Sequence, residues 1–300
     1  MSGQLKEVRD RIKSVKSTQQ ITKAMKMVSA AKLRKAQGAI TQMRPYADRL
    51  DKMIKNILSN LEGDAVSSFG VEREINNVAM AVITSNKGLC GAFNTNVIKE
   101  VRKKLDNDYA DALANGKVTL VCIGKKGYDG LKRLYPNANF NLDFMDVYND
   151  PSYENLSTVS QYLMDSFKAG EFDHIYACYG RFKNAALQFP TCVEYLPVPK
   201  VEISDAEKAQ QKTKADYIFE PGKVELLEDL IPSILHTTFQ KFVLDTQASE
   251  HGARMTAMDN ATENAEELLK ELKINYNKAR QEAITKELSE IVGGAAALGG

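Results

Sequence analysis

Between Val224 and Val292 the chain runs nearly 70 residues with a proline only near its start, Pro232, and a single interior glycine, Gly252. At about 1.5 Å rise per residue, a continuous helix of that length reaches roughly 100 Å. No ordinary domain is that wide, so such a helix is expected to project and to need a partner. Its apolar residues describe one. Ala265, Leu269, Leu272, Tyr276, Ala279 and Ala283 follow a 4-3-4-3-4 rhythm, the seam of a left-handed coiled coil. Past Ala283 the apolar stripe moves to Ile284, Leu288 and Ile291, a break that locally changes the supercoil. A long helix buried in a bundle is the alternative. The length argues against it, because globular helices usually run about 8–20 residues.

A second long helix is predicted over Gln4–Leu58. Leu5, Val8, Ile12 and Val15 open with 3-4-3 spacing, and Leu33, Ala36, Ile40 and Met43 resume it. In between, the same period meets Gln19, Thr22, Lys26 and Ser29, while Ile21, Met25 and Val28 lie on a neighbouring face beside Ala24, Ala30 and Ala31. Gly38 and Pro45 are weak points at which a bend or fraying is expected.

Charge separates the two helices. Gln4–Leu58 carries 14 Lys and Arg against 4 Asp and Glu; Val224–Val292 carries 7 against 13. Opposite signs favour pairing with each other and oppose self-pairing. Both join the middle of the chain at their inner ends, so the pair is expected to be antiparallel. The basic helix reads either as a solvated face paired with the acidic helix or, because it holds more charge than that partner neutralises, as a surface for an acidic partner protein.

The middle changes period. Val78–Thr84 and Val118–Gly124 are short apolar runs of strand type, each followed by glycine and a helix, near Asn94–Leu105 and Tyr128–Tyr135. A helix is predicted over Tyr153–Lys168, and His174–Phe182 with Leu187–Val198 reads as a strand pair about a short turn. Strands alternating with helices indicate a Rossmann-like sheet. Pro199–Ala215 reads as a mobile loop, and Asp216–Glu220 as a returning edge strand. The expected fold is therefore α/β: a long antiparallel two-helix coiled coil from residues 1–60 and 222–300, plus a Rossmann-like α/β domain over 61–221.

Composition excludes several functions. Hydrophobic residues are 43% and charged residues 26%, with a net charge of +1, and no apolar run approaches the roughly 18 residues that span a bilayer. The opening MSGQLKEVRDRI carries no apolar signal region, so neither secretion nor import is expected. Cys90, Cys122, Cys178 and Cys192 are widely spaced and read as buried free thiols of a reducing cytosol. His174, His236 and His251 stand far apart with no ligand spacing, so no metal or general base is expected. Glu263, Glu266, Glu267 and Glu271 read as a solvated face. No reading module accompanies the basic helix, which excludes nucleic acid.

The most tempting motif is GLCGAFN at Gly88–Asn94, on a strand-to-helix turn where phosphate loops occur. A P-loop needs a closing Gly-Lys-Ser/Thr, and here Ala92 and Phe93 follow the second glycine. Gly88 and Gly91 are accordingly read as parts of a tight structural turn. No active site and no cofactor is expected.

Three stretches make the chain recognisable: ITKAMKMVSAAKLRKAQ (Ile21–Gln37), GLCGAFNTN (Gly88–Asn96) and MTAMDNATENAEELLKELKINYNKARQEAITKELSEIVGGAAAL (Met255–Leu298). Together they closely resemble the gamma subunits of F-type ATP synthases, over the whole chain. The resemblance implies a non-catalytic rotor shaft inside a ring of alpha and beta subunits, with epsilon, delta and the membrane c-ring as further partners. It implies a place on the cytoplasmic face of a bacterial plasma membrane, reached only through the complex. Residue by residue, Arg280, Gln281 and Thr285 match a cluster that contacts beta-subunit loops. Met25, Lys32, Arg34 and Lys35 match the region meeting an acidic lever of beta. Glu250 and Arg254, four apart, match a polar coupling pair. The small, uncharged tail Gly293–Gly300 matches an upper bearing. Asn86 stands where many relatives carry Asp, which removes an ionic role there. The Pro199–Ala215 loop lacks the cysteine pair of the chloroplast redox switch, which argues against thiol control.

Overall fold

The computed structural model describes residues 2–59, 68–71, 73–198 and 223–298. The loop and edge strand expected over Pro199–Glu220 lie outside the described residues. In chain order the elements are α1 (Ser2–Ser59), β1 (Val78–Ile83), α2 (Phe93–Asp108), α3 (Ala110–Ala114), β2 (Val118–Ile123) and α4 (Lys125–Leu131). There follow β3 (Asn139–Asn141), a 3-10 turn (Met145–Asn149), α5 (Tyr153–Lys168), β4 (His174–Phe182), β5 (Gln188–Leu196) and α6 (Lys223–Leu298). Both long helices are unbroken: α1 runs on through Gly38 and Pro45, and α6 through Pro232 and Gly252. By packing, the chain forms two units, Met1–Ala30 with Arg254–Gly300, and Ala31–Ala253.

In the first unit the two helices pair through the seam that the spacing predicts. Ala265, Leu269, Leu272 and Ala283 are buried, and Tyr276 and Ala279 are half-buried. On α1 the seam does not change face at its polar interval. Thr22 and Ser29 are buried and Lys26 half-buried, whereas Ile21 and Val28 stand exposed. The physical reason lies opposite, because α6 is polar at the same level. Thr22 and Thr262 share a hydrogen bond of 2.7 Å, and Lys26 pairs with Asp259. Nearer the chain ends, Arg9 donates to the Tyr276 hydroxyl at 3.1 Å. As numbers rise on α1 they fall on α6, so the pair is antiparallel.

The second unit is built on a five-stranded sheet of order β3-β2-β1-β4-β5. β1 runs parallel to β2 and β4, β3 runs parallel to β2, and β5 is antiparallel to β4. The sheet is covered on both faces, which is why β1 reads as an unalternating apolar run with all six residues buried. On one face Ala79, Ala81, Ile83 and Ile175 pack with Leu156, Leu163 and Phe167 of α5 and with Leu235, Phe239 and Phe242 of α6. Burying a phenylalanine such as Phe239 contributes about 2–3 kcal/mol relative to leaving it exposed. The other face packs Val78, Met80, Leu120 and Cys178 under Val101 and Leu105 of α2 and Leu131 of α4.

One cysteine expectation is overturned. Cys178 of β4 and Cys192 of β5 stand directly opposite in the strand register and are joined as a disulfide. They are 14 positions apart in sequence, and only the hairpin register brings them together. Cys90 and Cys122 are free and buried. Burial pushes the Cys122 thiol up to about 12, so it is inert at neutral pH.

Candidate functional site

The GLCGAFN turn closes on itself. Leu89 and Gly91 take left-handed backbone angles, φ +60° and +58°, while around Gly88 there is open space. The Asn94 side chain draws the turn in. Its Oδ1 accepts from the Ser85 amide at 3.1 Å, and its Nδ2 donates to Ser85 Oγ at 2.8 Å and to Cys90 Sγ at 3.2 Å. Next to it Asn86 accepts from the Lys125 amide at 2.9 Å, at the start of α4, and donates to Asn149 Oδ1 at 2.7 Å. The amide thus uses both of its polar atoms in neutral hydrogen bonds, which a carboxylate could not do.

In an open α/β sheet, ligands sit beyond the carboxyl ends of the strands where the strand order reverses. Here that point lies between β1 and β4, and the chain fills it with its own residues. β1 pairs with β4 only as far as Val82 opposite Cys178. Gly180 lies two residues beyond that point, where β1 no longer offers a ladder partner. The peptide groups of Gly180 are taken instead by α6: its amide donates to Thr246 Oγ1 at 3.3 Å, and its carbonyl accepts from Ser249 Oγ at 2.9 Å. A Cβ at residue 180 would lie 2.5 Å from the Phe93 ring and 3.3 Å from Ser249 Cβ, so only glycine fits. Phe93, Cys90 and Val97 are buried there with Ala253 packed against them.

The same stretch of α6 is gripped from two further directions. Gln247 Nε2 donates to the Tyr148 carbonyl at 2.9 Å, and the Tyr148 hydroxyl donates to Glu250. Gly252 lies against the β4–β5 turn, where a Cβ would come 3.1 Å from Ala185 Cα. One turn earlier Asp245 is buried. Burial pushes its carboxyl up to about 6, and Lys241, Arg181 and Arg44 pull it partly back. Ser160 of α5 and His236 of α6 also meet, at 2.5 Å, and burial lowers the imidazole, which keeps it neutral. Ser160 Oγ lies in addition 3.2 Å from the Leu156 carbonyl, so the pair ties two helices. Among the described residues no group of three His, Cys, Asp or Glu could hold a metal ion.

The residues singled out by resemblance fall in different places. Arg280, Gln281 and Thr285 are exposed on α6, and Thr285 donates to the Gln281 carbonyl at 2.9 Å. Arg280 helps Arg9 lower the Tyr276 phenol, the hydrogen bond from Arg9 being the larger cause. Met25 is half-buried, and Lys32, Arg34 and Lys35 are exposed on α1. Glu250 and Arg254 are both buried. Gly293 and Gly294 lie exposed within α6, which continues to Leu298. The seat residues Gly180, Thr246, Ser249 and Tyr148 escape sequence reading. Their one signal is a cluster of short polar residues, TQASE, inside a helix otherwise rich in long side chains.

Fold and seat together define a class: an α/β protein whose sheet receives its own terminal helix where related sheets bind ligands, and whose two terminal helices pair with each other. The sequence pattern of a family described as ATP synthase matches residues 4–298. ATP synthase gamma chains of Christiangramia forsetii and Flavobacterium psychrophilum are each 50% identical to it, across 99% of both chains. That of Cytophaga hutchinsonii is 46% identical across 98% of both. The chain belongs to the ATP synthase gamma chain family. Its fold matches a chain of the Euglena gracilis mitochondrial ATP synthase OSCP/F1/c-ring structure in rotational state 3 (TM-score 0.65, 23% identity, 99% of this chain and 95% of that one). It also matches a chain of the Tetrahymena thermophila mitochondrial ATP synthase central stalk and c-ring (TM-score 0.54, 23% identity, 80% of this chain and 99% of that one).

Proposed function

We propose that this chain is the central rotor shaft of an F-type ATP synthase. It couples proton or sodium flow through a membrane ring to ATP synthesis and hydrolysis in an alpha/beta ring, and does no chemistry itself. The observation that carries the reading is full-length kinship: 46–50% identity over 98–99% of the chain, both terminal helices included. Physical chemistry supports it. Past Ala283 the helix turns Ile284, Leu288 and Ile291 outward, 45%, 57% and 68% exposed. An apolar contact has no preferred hydrogen-bond direction, which suits a surface that slides past its surroundings. Exposed Lys32, Arg34 and Lys35 would meet an acidic beta segment by an attraction that is equally non-directional. Arg280, Gln281 and Thr285 would meet beta-subunit loops, and Glu250 with Arg254 would act as a coupling pair. The remaining partners are epsilon, delta and the c-ring. No described helix is long and apolar enough to cross a membrane, so attachment to the cytoplasmic face of a bacterial membrane would run through the complex.

Co-purification tests the reading. The tagged chain is expected to bring down alpha, beta and epsilon subunits in a complex that hydrolyses ATP, and recovery of the chain alone under native conditions overturns it. A nucleotide enzyme on the sheet would need the crevice that Phe93 and α6 fill. Calorimetry with ATP, ADP and NAD separates that reading, since submillimolar binding by the isolated chain would favour it. Cross-linking α6 to the surrounding ring separates a static scaffold, which would keep full turnover.

A further inference from the structure

Ridges packed into grooves leave a helix only small rotations about its own axis. Directional hydrogen bonds placed around its circumference resist even these. Between Thr246 and Gly252 α6 has such a set. At about 100° per residue, Gly252, Ser249, Thr246, Glu250 and Gln247 take successive positions spanning roughly 220° of the helix surface. Each group of them meets a different wall. Thr246 and Ser249 hold the peptide of Gly180 from both sides, Gln247 and Glu250 hold Tyr148, and Gly252 abuts Ala185. These walls are β4, the 3-10 turn and the β4–β5 turn, all parts of the sheet-bearing unit.

The Gly180 contacts are the most informative. Where β1 stops pairing with β4, the next N–H and C=O of β4 would be left without a ladder partner, and an unpaired buried peptide group is costly. Two hydroxyls of α6 stand in for the missing strand. Each also fixes the helix in rotation, since turning α6 by one residue, about 100°, would carry both hydroxyls away from Gly180.

We propose that Thr246 and Ser249, docked on Gly180, are the positioning residues of a torque-bearing joint that locks α6 against rotation within the sheet unit. This deepens the rotor reading and rests on it. The test uses the complex assembled with alpha and beta subunits, the ring fixed to glass and a bead attached to the sheet unit. In T246V/S249A, ATP hydrolysis without load is expected to match the parent. The angular variance of the bead at rest is expected to rise at least about twofold, because two directional bonds are gone. T246S keeps a hydroxyl and is expected to keep the parental variance. If the double variant does not assemble, T246V alone, which is isosteric, carries the same expectation at smaller size. Parental variance together with parental hydrolysis overturns the joint. A parental bead that never turns in one direction with ATP overturns the rotor reading instead, so the two failures are distinct.

Discussion

Thr22 and Thr262 hold each other across the helix pair at 2.7 Å, each with its hydroxyl also on a carbonyl of its own helix, Gln19 at 3.0 Å and Met258 at 2.7 Å. Two hydroxyl protons serve three contacts. Either hydroxyl can supply the crossing proton, the other then accepting it while it donates to its own helix. A double-mutant cycle of Thr22→Val and Thr262→Val is expected to give a coupling of about 1 kcal/mol, because the bond is largely shielded from water. Denaturant titration of the full chain measures it. Additive single effects would mean that the two hydroxyls are independently solvated.

Asp245 sets a pH dependence. Its folded-state value, about 6, lies above the ordinary 3.8, so the fold favours the protonated form. That contribution is complete below about pH 4 and is lost as the pH rises through about 6. Asp245→Asn is expected to match the parent near pH 4. At pH 8 it should exceed the parent by on the order of 2 kcal/mol, discounted for partial screening. Thermal melts at the two pH values check the sign, and a carbon-13 titration of the carboxyl checks the value.

Two glycines should respond in opposite directions to alanine. Gly124 has φ +95°, and a Cβ there would lie 2.0 Å from the Thr84 carbonyl oxygen, so Gly124→Ala should cost on the order of 3 kcal/mol or more. Gly38 lies inside α1 with nothing within 4 Å of a Cβ, so Gly38→Ala should stabilise by about 0.5–1 kcal/mol. Melting temperatures of the two variants, measured side by side, decide this.

Thiol counting tests the β4–β5 cross-link. Alkylation in denaturant without reductant is expected to label Cys90 and Cys122 only, and prior reduction should add Cys178 and Cys192. Intact-mass spectrometry reads the number directly. Four labels without reductant would mean that the facing cysteines are thiols in solution.

Arg280→Ala with Gln281→Ala removes two exposed side chains. Stability is expected to stay within about 0.5 kcal/mol, since neither supports the seam. Coupled ATP synthesis and turnover in the reconstituted complex should fall. Unchanged kinetics would remove both residues from the partner surface.

How much of this could be read from the sequence follows from how local each signal is. The seam from Ala265 to Ala283 was legible because period alone specifies it. The bounds of α5 and β4 were legible because apolar runs end there at polar or glycine-containing turns. β3, only Asn139–Asn141, carries no pattern of its own and exists because β2 offers it an edge. The polar interval of α1 was misleading for a related reason. Thr22 and Lys26 look like a break in the seam until Thr262 and Asp259 are seen opposite. The cysteine cross-link and the Gly180 seat depend on register and on contacts more than 60 positions apart, which no window along the chain samples. GLCGAFN could be read as a turn, but its role in lodging Phe93 beside Gly180 could not.

The closure of the sheet by α6 also fixes an order of events. Gly180 waits for groups 66 and 69 positions downstream before its peptide is satisfied. On a ribosome, the strands therefore emerge well before the segment that completes them. The nascent sheet must persist with an open end until the last quarter of the polypeptide arrives, and that interval is when a chaperone would find it.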